Sequence, residues 1–354
     1  MGKDQNAEVI VVGGGIAGLS AAIYLGRAER DVLVLDSGRS MARWEPDVEN
    51  YPGFPEGIAG GELVQRMREQ ARRFGARIVE DEIVRTGRKL GRFILHSQAH
   101  RYVAVRVLLA TGIFHLPPQI EGVTECLGHS MFFCKDCDGY RVRGKSVAVF
   151  GWTNDTVETA LALLFYSATV AILTHGRKPC WDRQHDSWLK EYNIPVYKEP
   201  IVAVGREGCQ VRSLKLPKGA ELEVDALFTM RGDVYLNKLA RGFGASVDEE
   251  GQVVVDLRMR TTVKGLYAAG CVTPANCQMI IAAGQGATAA QTINRDLFEA
   301  SLETHSLRRF RGAQLQELSQ TGTSQDRKAI YGKHRKNHRS GRARKRGLQS
   351  VDAV

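Results

Sequence analysis

Apolar positions along this chain fall into two kinds of run. Short unbroken runs, EVIVV at residues 8–12 and DVLVLD at 31–36, have the length and branched content of strands buried on both faces. Between them LSAAIYLGRA repeats its apolar residues at helical spacing. LLATG, near residue 108, is another apolar strand closing in a glycine turn, and residues 145–175 repeat the strand–helix–strand plan. From residue 264 a strand, KGLYAAG, leads through a loop into a long alanine-rich helix, QMIIAAGQGATAAQTINRDLF. Two β-α-β units predict an α/β protein of two doubly wound domains, the last stretch returning to the first.

Composition changes this picture only at the edges. The longest apolar run, ALALLFYSATVAILT at 160–174, is shorter than the roughly 20 residues of a membrane-spanning helix, so no span is expected. No secretory signal is expected from MGKDQNAEVIVVGGG, and seven cysteines without a regular framework suggest a cytoplasmic chain rather than a disulfide scaffold. The net charge is +10, yet residues 305–354 hold 13 basic and 3 acidic residues, so the body is neutral and the excess sits in the tail. That tail is expected to be a solvated, disordered extension; nucleic-acid contact is the less favoured reading.

Gly13, Gly15 and Gly18 form G-x-G-x-x-G directly after a strand and at the start of a helix. The first allows the tight turn, the second lets backbone approach a pyrophosphate, and the third lets helix and strand pack closely. Asp36 ends the second strand at the spacing expected of a ribose-binding acid, which favours FAD or NAD over NADP. The second β-α-β unit has Gly151, Thr153 and Thr156 at the three key positions, so only its first glycine survives. A Cβ at Thr153 stands where a pyrophosphate must approach backbone most closely, whereas the helix N-terminus, Asn154 and the two threonines still offer donors. A dinucleotide could therefore still bind there, in a displaced pose.

MFFCKDCDGYRV places Cys134 and Cys137 in C-x-x-C with Asp138 next. Zinc would need two more ligands, usually a second pair, and none is suitably spaced, so no metal is expected. A redox disulfide needs only this pair and a group that moves protons, which Asp138 supplies. That reading is preferred over zinc and over two inert thiols.

Together, VIVVGGGIAGLSAAIYLGRA, VENYPGFPEGI, LLATG, FFCKDCDGY, GLYAAG and QMIIAAGQGATAA resemble the thioredoxin-reductase-like flavoproteins, in order over about residues 8–300. The resemblance implies two Rossmann-like domains: an FAD domain of residues 1–117 and 247–304, and an inserted pyridine-nucleotide-type domain, 118–246, carrying the C-x-x-C. It implies FAD contacts at Gly13, Gly15, Ile16, Ala17, Gly18, Asp36, Ser37, Asn50, Ala110, Thr111, Gly112, Gly270, Cys271, Gln278, Met279 and Ile280. It implies that Cys137 faces the flavin, that Cys134 exchanges with a thioredoxin-like protein partner, and that the chain is a homodimer. The helix from Gln278 would point its positive end at the flavin.

Departures from that pattern narrow it. The second glycine turn is broken, and the basic phosphate-gripping motif is reduced to THGRK, with Arg177 and Lys178. Gly270 is followed by Cys271 instead of an acid, Cys277 replaces a basic residue before Gln278, and SMARWEP (40–46) replaces a Gly-Gly-Gln loop. These features are similar to the diflavin-linked disulfide oxidoreductases of oxygenic photosynthetic bacteria. That subgroup implies a second FAD at Gly151, Trp152, Thr153, Asn154 and Arg177, and electron flow from dithiol to flavin; the alternative expectation is a thioredoxin reductase fed by NADPH or ferredoxin. Cys271 and Cys277 are read as small loop fillers rather than a further redox pair.

Overall fold

The structure is a computed structural model that describes residues 5–320. Strand β1 (Gln5–Val12) leads into helix α1 (Ile16–Arg27) and returns as β2 (Val32–Asp36); α2 (Gly60–Arg73), β3 (Arg77–Glu80), β4 (Arg85–Lys89), β5 (Arg92–His96) and β6 (Arg101–Leu109) follow. Val9–Val12 lie parallel beside Val32–Leu35 on one side and Arg106–Leu109 on the other. The alternation of β1 explains its unbroken apolar run. Val9 and Val11 enter one hydrophobic cluster with α1, while Ile10 and Val12 enter another on the opposite face.

A short strand β7 (Ile113–His115) leaves this sheet, and the next segment builds a second one. It contains β8 (Met131–Phe132), α3 (Lys135–Asp138), β9 (Ser146–Gly151), α4 (Asn154–Leu163), β10 (Thr169–Leu173), α5 (Arg183–Glu191) and β11 (Val196–Tyr197). Three antiparallel strands, β12 (Ala203–Glu207), β13 (Gln210–Lys215) and β14 (Glu221–Glu223), precede β15 (Ala226–Met230). The second sheet runs β11-β10-β9-β15-β8, all parallel. The chain returns through β16 (Asp233–Tyr235), which pairs antiparallel with β7, and α6 (Lys238–Gly242). Then β17 (Leu266–Ala268) joins β6 in the first sheet, giving the order β3-β2-β1-β6-β5-β4 with β17 on β6. The chain re-enters the first sheet as this one strand, and the helix α7 (Met279–Glu303) follows it.

Helix α7 packs along α1 because both carry small residues at the contact. A Cβ on Gly286 would lie 2.1 Å from the Ala17 carbonyl oxygen, so only hydrogen fits there. Ser20 donates to the Ala283 carbonyl at 2.7 Å across the same seam. At the base of α7, Asp296 accepts from Arg260 and from Tyr267, the latter at 2.6 Å.

One expectation is corrected here. Residues 306–320 form a helix, α8 (Ser306–Gln320), rather than a disordered extension. His305 takes a left-handed turn (φ 56°) that ends α7 and starts a new direction. Leu307, Phe310 and Leu315 supply apolar positions that the high local charge obscured in the sequence. Residues 321–354, the rest of that expectation, lie outside the described residues. Among the described residues no helix is long and apolar enough to cross a membrane.

The α1–α7 seam yields a direct test. Gly286→Val is expected to lower stability by about 1–3 kcal/mol through overpacking against backbone. It should shift the denaturant midpoint without changing the slope; an unmoved midpoint would show that the helices separate freely.

Candidate active site

The site begins at the turn after β1. A Cβ on Gly18 would lie 1.9 Å from the Gly13 carbonyl oxygen, and one on Gly13 (φ 112°) would lie 2.1 Å from the Ala110 carbonyl oxygen. Backbone therefore passes where side chains cannot, and Gly15, the N-cap of α1, leaves its first N–H groups with no side chain bonded over them. These groups open onto a cavity of ≈ 1050 Å³. That is at the upper end of the roughly 300–1,000 Å³ typical of ligand pockets, as a dinucleotide demands.

Most of the expected contacts meet in this cavity. Gly13, Gly15, Ile16, Ala17, Asp36, Ser37, Asn50, Ala110, Thr111, Gly112, Gly270, Cys271, Gln278 and Met279 all line it. Gly18 and Ile280 do not: Gly18 packs beneath Gly13, and Ile280 is exposed. Asp36 is buried, and its carboxylate already holds the turn together. One oxygen accepts from the Gly14 and Gly38 N–H groups at 3.3 and 3.0 Å, and the other pairs with Arg68.

Cys134, Cys137 and Asp138 line the same cavity, and Cys134–Cys137 form a disulfide with a Cα separation of 5.3 Å. Cys134 caps the short α3, its sulfur accepting from the Cys137 N–H at 3.2 Å. Gln278 reaches this pair from 141 residues away. Its Nε2 donates toward Cys137 Sγ at 3.2 Å and Cys134 Sγ at 3.5 Å, and Asn50 fixes the amide by donating to its Oε1 at 3.1 Å. Gln278 and Asn50, expected as flavin contacts, therefore also serve the disulfide: the Gln278 N–H group is placed to hold a thiolate when it opens, and Asn50 orients that amide.

Asp138 is 7 % exposed, and burial pushes its carboxyl up to about 7; Glu45 and Glu49 push the same way, while Arg141 opposes. Arg141 lies 3.4 Å from Asp138 and also contacts Glu49 and the Asp47 carbonyl. Burial raises Glu45 as well, against the pull of His115 and Arg141. Glu45, Arg141, His115 and Trp44 are cavity residues that the sequence motifs do not mark. Trp44 and Glu45 belong to SMARWEP, whose Met41–Trp44 turn lines the cavity, with Trp44 edge-on to Phe114 at 5.2 Å, whereas Arg141 follows the C-x-x-C and His115 ends β7.

Cys271 and Cys277 correct the loop-filler reading. Their Cα atoms stand 5.0 Å apart and the sulfurs are bonded. The loop turns back at Thr273, whose hydroxyl donates to the Gly270 carbonyl at 2.8 Å.

Gly151, Trp152, Thr153, Asn154 and Arg177 cluster elsewhere, at the turn after β9. Thr153 and Thr156 form a reciprocal capping box, and Asn154 exchanges hydrogen bonds with Asp182 at 3.2 and 3.0 Å. The side-chain donors that the sequence offers to a pyrophosphate are therefore engaged within the fold. Arg177 stacks over Trp152, 5.0 Å from the ring centre.

The family model for pyridine nucleotide-disulphide oxidoreductases matches residues 7–290. The chain belongs to this family. It is 34% identical to the thioredoxin reductase of Treponema pallidum over 297 residues, covering 81% of this chain and 96% of that one. It is 30% identical to the thioredoxin reductase of Bacillus subtilis, with 83% and 95% covered. Among solved structures, a thioredoxin reductase described as putative, TrxB of Bacillus anthracis, superposes with a TM-score of 0.76 at 27% identity, covering 83% of this chain and 99% of that one. The fold is thioredoxin-reductase-like, and the chain is an FAD-dependent disulfide oxidoreductase.

The glycine cradle, the uncapped start of α1 and the size of the cavity fit FAD, which when bound would supply two-electron storage. Asp138 keeps its proton to near neutrality and can give it to a departing thiolate. The same burial costs stability. With the folded carboxyl raised above its ordinary range, the folded state holds more protons than the unfolded one from about pH 4 to about pH 7. Stability therefore falls as pH rises through that window. Asp138→Asn should remove the Asp138 part of the fall, leaving a shallower one from Glu45, and be more stable at alkaline pH by on the order of a few kcal/mol. It should also slow thiol-coupled flavin reduction by roughly 10²-fold or more. Thermal melts across pH, beside stopped-flow flavin spectra, check both; parallel melts for the two proteins would refute the charge assignment.

Proposed function

We propose that this chain is a thioredoxin-reductase-type enzyme. It passes electron pairs between FAD in the large cavity and a thioredoxin-like protein, using Cys134–Cys137 as the exchange point. The observation that carries this reading is a disulfide inside the cavity of the glycine cradle, bridged by Gln278 and followed by the buried Asp138, whose carboxyl burial pushes up to about 7. The thioredoxin reductases among its relatives support it.

In the reducing direction, a Cys134 thiolate attacks the partner's disulfide. A Cys134–partner bond forms, and the first partner thiolate leaves. Cys137 then attacks Cys134 Sγ, recloses Cys134–Cys137, and releases the second partner thiolate. Two electrons leave the pair with the partner, and the two thiol protons follow, one of them by way of Asp138. The reverse sequence oxidises a partner dithiol.

A specific observation favours a second reading, in which another FAD replaces the nicotinamide cofactor and electrons run from dithiol to flavin. The Thr153–Thr156 capping box occupies the second glycine turn, and a Cβ on Gly151 would already lie 2.3 Å from Thr156 Oγ1. That leaves little room for backbone to meet a pyrophosphate in the usual pose. The relatives favour the first reading.

Anaerobic titration separates the two. NADPH at about millimolar concentration, well above usual KM values, should bleach the flavin, and acid-released flavin should equal one per chain. An unchanged spectrum with two flavins per chain overturns the first reading in favour of the second. Either way, Cys134→Ser and Cys137→Ser should abolish turnover with protein disulfides or dithiols; retained turnover would refute the exchange role.

A further inference from the structure

Cys271–Cys277 has no role in the chemistry above, yet both residues line the cavity that Cys134–Cys137 lines. Its two ends differ. Cys271 is half-buried beside the anchored turn at Gly270, where Thr273 bonds to both the Gly270 carbonyl and Gln285 Oε1. Cys277 is exposed, at the end of an exposed stretch from residue 274. A disulfide serving only as a staple needs no access to thiols, whereas this one meets solvent at one sulfur's residue and the flavin cavity at both.

The decisive feature is its neighbour. Cys277 directly precedes Gln278, whose amide stands 3.2 and 3.5 Å from the sulfurs of Cys137 and Cys134. Gln278 also begins the 25-residue helix α7, so a thiolate at Cys277 would sit at the positive end of a long helix, which favours it as a leaving group.

We propose that Cys271–Cys277 is a second redox-active disulfide that exchanges an electron pair with Cys134–Cys137 around Gln278. This rests on the redox role proposed for Cys134–Cys137. In the reduced first pair, a Cys134 thiolate attacks Cys277 Sγ. A Cys134–Cys277 bond forms, and Cys271 leaves as a thiolate. Cys137 then attacks Cys134 Sγ, restoring Cys134–Cys137 and releasing Cys277. Two electrons and two protons pass from the first pair to the second, and no further oxidant is needed. The exposed Cys277 then offers a dithiol to disulfides in solution, and the four cysteines together hold four electrons.

The test uses the flavin-loaded full chain, stepwise reduction with dithiothreitol, acid quenching, alkylation with N-ethylmaleimide and mass spectrometry of peptides. Cys271 and Cys277 should become alkylated once Cys134 and Cys137 do. In Cys134→Ser/Cys137→Ser their reduction should slow by about tenfold or more. A second pair that stays oxidised while the first is fully reduced overturns the relay and leaves the proposed function standing. So does equal reduction with and without the first pair. A first pair that resists reduction overturns both. Cys137→Ser/Cys271→Ser, which leaves one thiol per pair, should form a Cys134–Cys277 bond in glutathione buffer. Separate glutathione adducts on the two thiols would overturn the proposal, and the wild-type measurement stands independently of whether either variant folds.

Discussion

The structure depends on how closely two helices can start beside one another. Gly286 leaves α7 no side chain where it crosses the Ala17 carbonyl, and Gly18 leaves α1 none where it crosses Gly13. At Gly270 (φ 81°), a Cβ would meet the Ala17 methyl at 2.9 Å, so the strand leading to α7 is drawn into the same junction. Because hydrogen alone fills these points, the positive ends of α1 and α7 open on one cavity. A larger residue at any of them would separate the pyrophosphate cradle from the helix that carries Gln278. The chemistry of the site is thus built on backbone proximity before any reactive side chain is considered.

That origin explains what could be read in advance. The cradle was legible because its glycines lie within six residues and are flanked by a strand and a helix, each with its own apolar period. The C-x-x-C was legible because both sulfurs come from one turn. The contact of Gln278 with those sulfurs was not, since it joins positions 141 apart and exists only after β17 returns to the first sheet. Cys271–Cys277 was hidden for another reason. Five residues between cysteines permit a disulfide but do not require one, and the reversal at Thr273 is made by hydrogen bonds with no strong sequence signature. Helix α8 was missed because clustered basic residues outweighed Leu307, Phe310 and Leu315 in a reading by composition.

The two strand–turn–helix units show how one plan serves different ends. At the first, glycines leave the N–H groups of α1 uncovered, and an anionic ligand must complete the helix start. At the second, Thr153 and Thr156 complete it from within. Removing a ligand from the first leaves unsatisfied donors; removing one from the second leaves a closed turn. Stability of the first unit should therefore be linked to cofactor, and that of the second should be largely its own.

The burial of Asp138 follows the same logic with opposite cost. A carboxyl placed between Glu45 and Glu49 with one partial counterion, Arg141, is a poor choice for folding stability. It is a good choice for a proton carrier, because the environment that disfavours its charge holds the proton available near neutrality. Exposing Asp138 would relieve the fold and spoil the acid. Neutralising Glu45 would lower the Asp138 carboxyl part of the way toward its ordinary value by removing the stronger of its two like-charge influences, while burial would still hold it up. SMARWEP, which contributes Glu45, therefore does more than line the cavity: it adds to the proton affinity that burial gives the group beside the disulfide.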